Sequence, residues 1–60
     1  MSAKIKLKKA LSAIDDAVAA LRRARNDADP NTEYQIRKAL SELDDAERDI
    51  KRAIREIPND

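Results

Sequence analysis

Apolar residues return along this chain at helical spacing. Leu7, Leu11, Ile14, Val18 and Leu21 succeed one another at intervals of 4, 3, 4 and 3. Ile36, Leu40, Leu43, Glu47, Ile50, Ile54 and Ile57 repeat that rhythm, with Glu47 the one polar member. This spacing lays a single stripe along each of two helices, and its seven-residue regularity is that of bundle or coiled-coil packing. Between the stripes lies Asn26-Asp-Ala-Asp-Pro-Asn-Thr32, rich in residues that end and start helices. Pro30 disfavours a helical Asp29, and Asn31 or Thr32 is expected to cap the second helix. Thr32-Glu-Tyr-Gln35 fits a capping box, and Ser2 is the matching cap candidate for the first helix. Pro58 ends the second. The pattern predicts helices over about 2–27 and 32–57 joined by a connector at 28–31, within one unit spanning 1–60.

The two arms resemble each other. A shift of 29 residues places Lys9-Ala-Leu-Ser12 on Lys38-Ala-Leu-Ser41 and Asp15-Asp-Ala17 on Asp44-Asp-Ala46. The same shift superimposes the two off-stripe residues, Ile5 and Tyr34. A repeat that is nearly all one helix points to an up–down bundle element rather than a solenoid.

A short connector makes the arms antiparallel neighbours, an all-α helical hairpin. With Leu11 at heptad position a, the gap-free pairing sets Leu21 against Leu40, Val18 against Leu43 and Ile14 against Glu47. Leu11 then meets Ile50, and Leu7 meets Ile54. On one flank Ala10, Ala17 and Ala24 face Ala53, Ala46 and Ala39. These six small residues are expected to let the axes approach and to leave a shallow groove for a second hairpin. On the other flank Lys8, Asp15 and Arg22 face Lys51, Asp44 and Arg37, so every nominal pair carries like charges. A continuous helix pairing with a second copy is the other possible arrangement. It would form a rod roughly 80–90 Å long over about 57 residues, and Pro30 disfavours it.

The first helix carries a second stripe, Ala10, Ala13, Ala17, Ala20 and Ala24. The corresponding outer positions of the second helix are Gln35, Glu42, Asp49 and Glu56. Alanine is the strongest helix former and coats exposed positions for that reason alone. The asymmetry between the arms favours an interface instead, with the first helix towards the centre of a homo-oligomer. The expected assembly is a four-helix-bundle dimer of two hairpins.

Composition narrows the chemistry. The 60 residues hold 13 Lys or Arg and 12 Asp or Glu, a net charge of +1, so neither a strongly basic nor an acidic binding surface is expected. There is no Cys, His, Trp, Phe or Gly, which removes thiolate and imidazole ligands, most nucleophile–base pairs and phosphate-cradling glycine loops. No cofactor, metal or small-molecule substrate is expected, and no enzyme activity. Glu47, a carboxylate within an apolar seam, is either half of a metal pair or a partly solvated charge that sets register and pairs with Arg48 or Lys51. Di-metal carboxylate bundles need several inward Glu with Glu-x-x-His, and the chain has no His. Asp15-Asp16 and Asp44-Asp45 are neighbours about 100° apart on a helix, so neither pair converges on one substrate atom. Lys4, Lys6, Lys8 and Lys9, and Arg22, Arg23 and Arg25, are local basic patches without an aromatic platform, which argues against nucleic-acid and membrane partners. With neither a signal peptide nor an apolar run near the roughly 20 residues of a bilayer span, a cytoplasmic location is expected.

A hairpin of this length with heptads in both arms and recurrent Ala resembles the Rop family of plasmid-encoded RNA-binding proteins. That likeness implies a four-helix bundle of two hairpins, and the alternative reading it supports is a small natural regulator binding RNA or a partner helix. The family's aromatic and basic RNA face is missing here, so the RNA function is not implied. The chain is more similar to computationally designed helical bundles. It shares with them unbroken heptads, Ser2 and Thr32 caps and the compact Asp29-Pro30-Asn31-Thr32 connector, features that agree at every level. This second likeness implies a structural, self-assembling unit.

Overall fold

Helix α1 spans Ala3–Arg25, and Ser2 starts it from an extended backbone. The Ser2 hydroxyl accepts the Ile5 N–H at 3.1 Å, satisfying one of the unpaired donors of the first turn. The helix ends by tightening. Asn26, Asp27 and Ala28 donate to the carbonyls of Arg23, Ala24 and Arg25 at 3.2, 3.1 and 3.3 Å, each three residues back. Asn26 stays right-handed, and no described residue has a positive φ. The reversal therefore needs no left-handed residue, and a chain without glycine can make it.

Helix α2 spans Pro30–Glu56. It begins two residues before the expected start, and its cap is Asp29 rather than Asn31 or Thr32. Pro30 forces Asp29 out of the helical region, and the extended backbone that results (φ −72°, ψ 169°) is the one an N-cap adopts. Proline suits the first helical position because its missing N–H would have no partner there. Asp29 Oδ1 accepts the Thr32 N–H at 2.7 Å, and the Asp29 carbonyl accepts the Glu33 N–H at 2.8 Å. Thr32 and Gln35 thus lie inside the helix, and Thr32 donates to a cap instead of being one. At the far end Ile57 is extended, as a residue before proline must be, and Pro58 comes directly after it.

The computed structural model describes residues 2–58; Met1, Asn59 and Asp60 of the unit read over 1–60 lie outside the described residues. The chain is all-helical, and α1 packs against α2 as a hairpin. Its Cα extents of 46 × 16 × 10 Å are those of two helices side by side in one layer, about half the length of a continuous rod. One layer has no interior. Leu7, Leu11, Ile14, Val18 and Leu21 of α1 are half-buried, as are Leu40, Leu43, Glu47, Ile50, Ile54 and, just past α2, Ile57. Ile36, 9% exposed, is the one buried residue among those described. It lies in the second turn of α2, beside the connector, where Ala28 is also half-buried.

Candidate functional site

The two faces of this layer differ in chemistry and in closure. On the alanine face, Ala10, Ala13, Ala17, Ala20 and Ala24 of α1 are all exposed, whereas Ala39, Ala46 and Ala53 of α2 are half-buried. The hairpin therefore partly covers the alanines of α2 and leaves those of α1 bare.

On the opposite flank a groove of about 310 Å³ opens, lined by Asp15, Val18, Ala19 and Arg22 of α1 and by Asp44 and Glu47 of α2. The expected groove was to lie along the alanines; this one lies along the charges. Longer side chains on both helices fill this edge, and Asp15 and Asp44 bring the same charge to it.

Ion pairs along α2 offset the like charges. Asp44 binds Arg48 through Nη2 at 2.5 Å, and Asp45 reaches Nη1 of the same guanidinium at 3.2 Å. The adjacent aspartates therefore grip one cation from two sides. Glu47 lies 3.5 Å from Lys51 Nζ. These pairs sit in solvent, where each contributes a few tenths of a kcal/mol. The Glu47 side chain is 23% exposed, so the polar member of the seam keeps its carboxylate at the groove's edge.

Among the described residues, no group of three or more Asp, Glu, His or Cys is placed to hold a metal ion. Ile5 and Tyr34, superimposed by the internal repeat, are 48% and 57% exposed. Each lies near the N-terminus of its helix, so the antiparallel hairpin carries them to opposite ends. No described helix is long and apolar enough to cross a membrane.

The Thr32 N–H, and after it the Thr32 hydroxyl, hold the Asp29 carboxyl below its usual 3.8. Sequence reasoning missed the Asp29 cap although its signal was present: an acidic residue directly before a proline reads as N-cap and first helical position. No protein-family model, curated protein or solved structure matches the chain.

Proposed function

We propose that this hairpin is a non-catalytic self-assembly unit whose partner is a second copy of itself, the pair forming a four-helix bundle. One observation carries the reading. The chain exposes 4645 Å², whereas a compact monomer of its 6.8 kDa mass exposes about 3,950 Å². The surplus of about 700 Å² is close to the roughly 800 Å² that each partner contributes to a stable interface. The radius of gyration, 14.2 Å against about 10 Å for a globular chain of this length, also supports this reading.

The alanine face is the surface for that second copy. Its α1 alanines are uncovered. The other face carries a groove lined by Asp15, Arg22, Asp44 and Glu47. The two caps, the unbroken heptads and the glycine-free connector also support reading the chain as a designed bundle unit. Light scattering across a range from micromolar to millimolar chain tests the proposal. Twice the chain mass is expected, and a mass of 6.8 kDa at every concentration would overturn it.

A further inference from the structure

We infer that two copies stack on their alanine faces about a twofold axis along the hairpin, so that α2 of each copy lies antiparallel across α1 of the other. The inference rests on the self-association proposed above and adds its orientation. It is carried by charge at the edges of the face. Along α2 that edge is Glu42, Asp49 and Glu56, all exposed. Along α1 it is Ala13 and Ala20, with Lys6 and Arg23 near the two ends, also exposed.

Stacking α2 on α2 would bring the Glu42 and Asp49 carboxylates of one copy against those of the other. Stacking α2 on α1 places them over methyl groups instead. The groove shared by Asp15, Val18, Asp44 and Glu47 sets the level of one helix against the other, and a twofold axis along the hairpin preserves that level. Asp49 of the second copy then lies over Ala13 and Glu42 over Ala20. Glu56 comes level with Lys6, and Glu42 comes within one turn of Arg23. Glu42 and Glu56 each come near a cation, and Asp49 lies over a methyl group with Asp16 one turn away, one like-charge approach where stacking α2 on α2 makes several.

Paired charge reversals test this. One variant carries Glu42→Lys and Glu56→Lys, the other Lys6→Glu and Arg23→Glu. Lys6→Glu and Glu56→Lys both place the favoured sign at a helix end, so these two changes do not disfavour the helices themselves. At low salt each variant alone is expected to dimerise about tenfold more weakly than the parent, because the twofold axis turns four exposed pairs repulsive. An equimolar mixture is expected to recover the parental affinity as a heterodimer. Parental or tighter affinity for the Glu42→Lys/Glu56→Lys variant alone would overturn the orientation, since antiparallel stacking of α2 on α2 sets residue 42 against Asp49 and the change turns that pair attractive. A parent that is monomeric throughout would instead overturn the self-association. A second measurement is independent of charge. A mixed disulfide between an Ala13→Cys chain and an Asp49→Cys chain is expected to dominate over both homodisulfides, and its absence would overturn the orientation.

Discussion

The Glu47 carboxylate is held by Lys51 of its own helix, at 3.5 Å, and not by any residue of α1. The cause is the composition of the seam. Glu47 occupies a position in register with apolar residues; of the α1 side chains in its groove, Asp15, Val18 and Ala19 offer no donor, and Arg22 makes no ion pair with it. One turn along α2, Lys51 supplies the nearest cation. The pair sits at the groove's edge, so the carboxylate stays partly hydrated while its stem lies along the seam.

Glu47→Leu is therefore expected to stabilise the hairpin by about 1 kcal/mol, roughly half the value of a fully buried leucine, by covering the groove floor. The urea midpoint should rise, whereas Lys51→Ala should change the stability by less than about 0.5 kcal/mol. A lower midpoint for Glu47→Leu would mean that the ion pair outweighs the burial.

The Asp29 cap makes stability depend on acid. Its folded pKa is depressed by the Thr32 hydrogen bonds, so its contribution is complete above the ordinary value of 3.8. That contribution fades as pH falls through the lower folded value. Asp29→Ala is expected to lower the melting temperature at pH 7 and to flatten its pH dependence below pH 4. Asp29→Asn should keep most of the pH 7 stability but lose the acid dependence. An acid transition unchanged in both variants would refute the assignment.

Ile36 should be the costliest seam residue to truncate. Ile36→Ala is expected to cost about 2 kcal/mol, the low end for a core isoleucine, because one layer leaves the site free to collapse. Ile54→Ala, at a half-buried position, should cost about half as much. Chemical denaturation of both variants at the same chain concentration compares them directly, and equal losses would count against Ile36 as the centre of the packing.

Ala17→Glu places a charge in the middle of the alanine face. The residue is exposed in the single hairpin, and the two residues differ by only a few tenths of a kcal/mol in helix propensity, so circular dichroism should change little. Sedimentation should nonetheless show the assembly lost, whereas Ser41→Glu, exposed on the opposite flank, should leave it intact. Equal association of both variants would remove the alanine face from the interface.

The helical elements could be read locally because a helix is specified by local chemistry. Spacing placed the apolar stripe, Ser2 supplied the first cap, and Pro58 closed α2 two residues after its last turn. The start of α2 lies two residues before the one expected because Asn31 and Thr32 are also good caps. The choice went to Asp29, where the backbone imposed by Pro30 and the carboxylate geometry coincide.

By itself, then, the sequence determined two antiparallel-capable helices, their stripes and a glycine-free turn. Tertiary structure alone decided how the flanks close. Residue types showed six facing alanines and three pairs of like charges, but a groove on either side was compatible with them. In the folded hairpin a groove lies on the charged flank, where the side chains are longer and Asp15 and Asp44 carry like charge. The same packing half-buries Ala39, Ala46 and Ala53 of α2 while leaving the α1 alanines bare, a difference that depends on the rotation of one helix against the other and that no periodicity contains.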